Sequence, residues 1–163
     1  MNEKLRSIYI ADQADRAEGI LQPSVIERDL ARRLRVRELL SANAVHTADD
    51  FFHAAMVFQH GPEEEDCRIA NDLARKALEL GHVGEAWWCS AAWLVAASHD
   101  RLLMRQGTAQ KYGTQFLRRG PDGPLELWEV DPDTTDEERA ALNVPPIAEA
   151  LARVEGRICP ARN

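Results

Sequence analysis

Cysteine is scarce in this chain, and the three present, at 67, 89 and 159, form no CxxC pair. That excludes a zinc ribbon and a thioredoxin-type redox motif. Cys67 and Cys89 fall inside apolar helical patterns, where a thiol acts as a small hydrophobe. Positive charge is also in deficit: 20 Lys and Arg against 27 Asp and Glu leave a net charge of −7. Nucleic acid is therefore not an expected partner, because phosphate binding depends on clustered positive charge. The local exception is Arg28, Arg32, Arg33, Arg35 and Arg37, interleaved with Glu27, Asp29 and Glu38, and it reads as a solvated, ion-paired helix face. No run approaches the ~20 apolar residues of a membrane span. The N-terminal MNEKLRSIYIADQADR lacks the unbroken apolar segment of a signal peptide. The expectation is a cytoplasmic protein without a membrane partner.

What remains is ordinary for a globular protein, with 45% hydrophobic and 29% charged residues in 163. The length suits one domain over 1–163 with a core of its own. Residues 1–107 read as helices, and 108–163 as a loop, a β-hairpin and terminal helices. The first helix is expected over 3–19, stopping at Gly19 with Pro23 beyond. Ser24 and Glu27 form a capping box for a second helix to Ala42, with Val25, Leu30, Leu34 and Leu39-Leu40 as its apolar stripe. Thr47 and Asp50 repeat that pattern before ADDFFHAAMVFQH, which Gly61-Pro62 closes. Acidic residues from Glu63 to Asp66 favour the start of a fourth helix to Leu80, and Gly81 suits its left-handed cap. A fifth is expected from about Gly84 to Arg105. Beyond Gly113 the period changes: TQFLR and LELWEV flank the turn sequence RGPDGP and predict a hairpin. Thr135 and Glu138 cap a further helix. Pro145-Pro146 opens the last one, with Ile147, Leu151 and Val154 facing inwards. The fold class is mainly α, antiparallel helical hairpins with a small C-terminal β-hairpin.

Ala70, Leu73, Lys76-Ala77, Gly81 and Ala86 sit where small residues recur in tetratricopeptide repeats. The stretch from AAMVFQHG to CSAAWL resembles one such repeat of the Sel variety. The resemblance implies a helical-repeat scaffold of the kind used by adaptor and binding modules. A second resemblance rests on DQADR, FQHG, HDRLLMRQGTAQKYGTQF and VDPDTTDEERAALNVPP. Together these are similar to a family of small bacterial proteins of unassigned function, with D-R, Q-H, D-R and Q-x-Y-G-T-Q motifs. It points to Asp15, Arg16, Gln59, His60, Asp100, Arg101, Gln110, Tyr112, Gly113, Thr114 and Gln115 without implying an activity.

Three polar clusters carry chemistry. Asp12 and Arg16, four apart, read as an exposed ion pair on one helix face. Gln59-His60 closes the third helix, where the dipole favours a cation. His99-Asp100-Arg101 with Gln110, Tyr112, Thr114 and Gln115 is the densest. Metal binding is not expected: His53 and His60 are two turns and about 10 Å apart along their helix, too far to share one ion. The 107–113 loop follows a helix and enters a strand, the reverse of a phosphate loop, and no cofactor is expected. Convergence of the clusters would let Arg16 or Arg101 hold a carboxylate or phosphate. Two readings follow. One is a binding or adaptor module for a peptide, a protein partner or a small anionic ligand, with Asp15, Arg16, Gln59, Arg101, Gln110, Tyr112, Thr114 and Gln115 as contacts. The other is a small acid/base enzyme pairing His60 with Asp100 beside Arg101.

Overall fold

The computed structural model describes residues 1–17, 23–84, 86–118 and 123–155. It is mainly helical with one two-stranded antiparallel sheet, as expected from the sequence. The elements are α1 (Glu3–Ala14), α2 (Pro23–Ser41), α3 (Ala48–Gln59), α4 (Glu64–Glu79), a 3-10 turn (Trp87–Cys89), α5 (Ala91–Arg105), β1 (Phe116–Arg118), β2 (Leu125–Leu127), α6 (Asp136–Ala140) and α7 (Ile147–Val154). Gly19 itself, part of the RGPDGP turn and Cys159 lie outside the described residues, but the first helix already ends at Ala14, short of the expected 3–19, with a turn over residues 15–17.

Small residues set the spacing of the central helices. Ala54 and Ala55 on α3, Ala70, Ala74 and Ala77 on α4, and Ala91, Ala96 and Ala97 on α5 are all fully buried. With no side chain beyond Cβ at these points, the backbones approach closely and α4 packs against both α3 and α5. Phe58, Leu94 and Val36 fill the spaces between. Gly81 ends α4 at φ 86°, a left-handed position where any side chain would be strained.

Helix α1 is tied in by polar caps at its start. Asn2 caps it by accepting from the amides of Lys4 and Leu5. The Asn2 backbone N–H donates to the Asp50 carboxylate at 2.6 Å, and its side-chain amide donates to the Ala44 carbonyl at 2.9 Å. Asp50 in turn completes the capping box with Thr47 that the sequence predicts for α3. One carboxylate therefore fixes the starts of two helices. At the other end, Asp12 of α1 meets His60 just after α3. The two helices consequently run side by side in the same direction.

Several expectations need correction. The stripe assigned to α2 is wrong in part: Leu30 and Leu34 are exposed, while Val25, Asp29, Arg33, Val36 and Leu39 are buried. Ion pairing to neighbouring elements decides which face turns inwards, because Arg33 and Arg37 reach Asp66 and Arg32 reaches Asp15. Ser24 lies inside α2, which starts at Pro23, a position where the missing N–H costs nothing. Helix α5 begins at Ala91, with Ser90 as its cap accepting from the Trp93 amide at 3.1 Å; Trp87 and Trp88 belong to the preceding 3-10 turn. In α7, Leu151 is exposed rather than inward.

The C-terminal part hangs on Asp100. Its buried carboxylate accepts from the amides of Lys111 (2.8 Å), Tyr112 (2.9 Å) and Thr114 (3.0 Å) and from the Thr114 hydroxyl (2.8 Å). Gly113, inside this cradle at φ 81°, permits the sharp reversal, and an added Cβ would stand 2.9 Å from Ile147. Buried Gln110 donates to the carbonyls of Gln115 and Trp128 and accepts from the Gln115 amide. It thereby joins the loop to the sheet, where Phe116 pairs with Leu127 and Arg118 with Leu125. Replacing Asp100 with Ala strands three amides in the interior. Urea unfolding is expected to show a loss of about 3 kcal/mol or more; a loss below about 1 kcal/mol would mean that the carboxylate does not hold the loop.

Candidate functional site

Asp12 lies on the same face of α1 as Leu5 and Ile8, so the packing that buries those residues buries its carboxylate as well. A buried carboxylate must be paired. Asp12 Oδ1 accepts from Arg16 at 3.0 Å, and Oδ2 accepts from the Gln13 side-chain amide at 2.9 Å and faces His60 Nδ1 at 2.9 Å. Arg16 also donates to the Asp12 carbonyl at 2.9 Å and reaches across to Asp29 of α2 at 2.6 Å. Asp29 pairs with Arg32, and Arg32 with Asp15, which Arg28 holds from its other side. The result is an alternating chain of three carboxylates and three guanidinium groups between α1 and α2. These contacts lower the Asp15 pKa, the Arg28 and Arg32 hydrogen bonds being the cause. The expected exposed Asp12–Arg16 pair is thus a buried one, and the basic run of α2 is half of an interhelical network.

His60 meets open space, as do Arg16 and Gln13 beside it. With Gln13, Arg16, Met56, Trp88 and Trp93 it lines a cavity of about 370 Å³. Burial lowers the His60 pKa, against the opposing pull of Asp12. The neutral ring therefore predominates at pH 7, and because its Nδ1 faces an acceptor-only carboxylate, that nitrogen carries the proton. Nε2 then keeps a lone pair and has no partner among the described residues. Arg101 of α5 lies near enough to His60 and Arg16 for their charges to act on one another, and burial lowers its pKa. Its Nε is buried without a hydrogen-bond partner, and no carboxylate pairs with it among the described residues.

The sequence-derived cluster divides in two. Asp15, Arg16, His60 and Arg101 gather near the ends of α1 and α3. Asp100, Gln110, Thr114 and Gln115 form the separate loop network. His60 pairs with Asp12 and not with Asp100, whose four bonds all go to the loop. Gln59 and Gln115 both donate to the Ala97 carbonyl at 3.1 Å, spanning the two groups. Tyr112 gives its carbonyl to Arg139, and its ring lies beside His99 and Lys111. Gly113 and Thr114 line a cleft of about 20 Å³, room for one water. Sequence reasoning does not bring Gln13, Trp88 or Trp93 to the site, and it gives Asp12 no partner but Arg16. The signal for Asp12 is its register with Leu5 and Ile8, an acid on an apolar face.

A larger groove of about 600 Å³ lies further along α1 and α3, beside Tyr9, Phe52, His53 and His82. His53 stacks on Tyr9 at 4.4 Å and His82 on Phe52 at 4.1 Å. Among the described residues, no group of three His, Cys, Asp or Glu side chains is placed to hold a metal ion. Comparisons with protein-family models, with curated proteins and with solved structures found no match.

Burial lowers the pKa of His53 and His82 as it does that of His60. A folded state that takes up the proton less readily than the unfolded chain keeps this stability above pH 6.5, and loses it as the pH falls below. NMR titration of the His60 ring is expected to give a midpoint below 6.5, with stability declining as pH drops from about 7 towards 5. A midpoint above 6.5 would mean that Asp12 outweighs burial.

Proposed function

We propose that the protein binds a small organic anion in the cavity beside Arg16 and His60. The observation that carries this reading is Arg101, half-buried, whose Nε is buried without a hydrogen-bond partner and which no carboxylate pairs with among the described residues; it does not line the cavity, but its charge acts on both His60 and Arg16, which do. A half-buried cation without a counter-ion favours an anion brought close to it. Arg16 is already neutralised by Asp12 and Asp29, so the unmatched charge at this locus is that of Arg101, which suits a singly charged group. Trp88, Trp93 and Met56 offer apolar walls to the remainder of the ligand. A cavity of about 370 Å³ falls within the range of small-molecule sites. The loop residues Asp100, Gln110, Thr114 and Gln115 act in this reading as the frame that holds α5, and with it Arg101, in position. Helical hairpins built on small residues are a scaffold that suits such a binding module.

Arg101→Met separates a binding role from a structural one. Thermal unfolding with inorganic phosphate is expected to raise the Tm of the parent protein, in keeping with about 2.7 kcal/mol at a hundredfold excess over Kd. The variant is expected to lose that shift while its ligand-free Tm stays level or rises, because an uncompensated charge has been removed. A fall in ligand-free Tm with the phosphate response intact would assign Arg101 to the scaffold.

A further inference from the structure

Two contacts fix how α1 and α3 stand against each other. Asn2 meets Asp50 and Asp12 meets His60, an offset of 48 residues at both ends. The helices therefore run in step along their shared length. One face of each borders the groove of about 600 Å³. On α1 that face is Arg6, Tyr9 and Ile10; on α3 it is Asp49, Phe52 and His53, at the same helical spacing.

The groove holds two unmatched charges of opposite sign. Arg6 is exposed, and its guanidinium makes no hydrogen bond or ion pair among the described residues. The Asp49 carboxylate is also exposed, and His82 Nε2 stands 3.9 Å away, beyond hydrogen-bond distance. Burial lowers the pKa of His53 and His82, so both rings are neutral at pH 7. His82 Nδ1 accepts from the Ala91 amide at 3.3 Å, which puts the ring proton on Nε2. With no lone pair turned to Asp49, that pair offers no seat for a metal ion. The offset of 48 sets Arg6 level with Ala54, five residues beyond Asp49, or about 7.5 Å along the axis. No ion pair joins the two groups. Apolar surface accompanies them. Ile10 is 49% exposed and Val83 77%, and both line the groove with Tyr9 and Phe52.

We propose that this groove binds a small zwitterion with an apolar body, an aliphatic amino acid or dipeptide, its carboxylate on Arg6 and its ammonium on Asp49. The paired charges select the class. An anion drawn to Arg6 also meets the Asp49 carboxylate, and a cation drawn to Asp49 meets Arg6. A molecule bearing both signs is matched at both ends. An aliphatic side chain laid on Ile10 and Val83 removes their apolar surface from water, which favours such a body over a polar one. The volume falls within the range of small-molecule sites. This site is separate from the cavity beside Arg16 and His60 and does not rest on the anion reading there.

Isothermal titration calorimetry with L-leucine and with L-leucyl-L-leucine tests the assignment. Saturable binding of at least one to the parent protein is the expected result. The acetylated form of that ligand lacks the ammonium, and the amidated form lacks the carboxylate. Both are expected to bind about tenfold more weakly, or worse, for loss of a charge-assisted hydrogen bond. Arg6→Gln and Asp49→Asn alter exposed side chains, and circular dichroism is expected to show the fold intact. Each lowers affinity for the zwitterion about tenfold or more. Asp49→Asn does not weaken the acetylated form further, nor Arg6→Gln the amidated one, because the group removed has no partner in that probe. Binding of leucine alone assigns the groove to free amino acids, and binding of the dipeptide alone assigns it to peptides. Absence of binding by both overturns the proposal. Acetylated and amidated forms that bind as well as the zwitterion overturn the reading of its two charges. Undiminished affinity in both variants places the ligand elsewhere and overturns the site.

Discussion

A carboxylate buried at the end of one helix is the constraint on which the rest of this structure turns. Asp12 cannot be left unpaired without a cost of several kcal/mol, and each of its three partners settles a different question of packing. Arg16 links it to Asp29 and so brings α2 against α1; His60 brings the end of α3 to the same point; Gln13 closes the remaining acceptor position. Remove the carboxylate and Arg16 and His60 lose the partner that orients them. His60, so held, also borders a cavity, so the contacts that tie the N-terminal helices together lie beside the candidate site.

A second buried carboxylate, Asp100, solves the opposite problem. Burial pushes its pKa up, while four hydrogen bonds from the 111–114 segment pull it down. Every donor comes from the loop, and nothing is left over for a ligand. Asp12 and Asp100 are thus chemically alike and differently held. One is surrounded by side chains, of which His60 can exchange a proton; the other is held mostly by backbone amides. Gln59 and Gln115, meeting at the Ala97 carbonyl, couple the two centres mechanically.

Much of the fold is legible in the sequence because it obeys local rules. The Thr47–Asp50 and Thr135–Glu138 capping boxes, the Gly81 stop and the hairpin from TQFLR to LELWEV all follow from chemistry within a few residues. The face of α2 is not legible, because long-range ion pairing sets its orientation. Leu30 and Leu34 form a plausible stripe by period alone, yet Arg33 with Asp66 and Arg32 with Asp15 turn α2 the other way. The polar residues of the site are largely identifiable as a set, since Arg16, His60 and Arg101 stand out by residue type and by their places near helix ends. Their pairing is not. Spacing along a helix cannot tell His60 whether its carboxylate stands 48 positions upstream or in the helix after next.

The account stands most directly on the state of the His60 ring, held by Asp12 with its Nδ1 protonated and its Nε2 free. A long-range proton–nitrogen correlation spectrum of labelled protein near neutral pH reads both nitrogens at once. The expected result is a protonated Nδ1 and an unprotonated Nε2, with the pattern lost in a folded Asp12→Asn variant. The reverse tautomer, with the proton on Nε2, would contradict it.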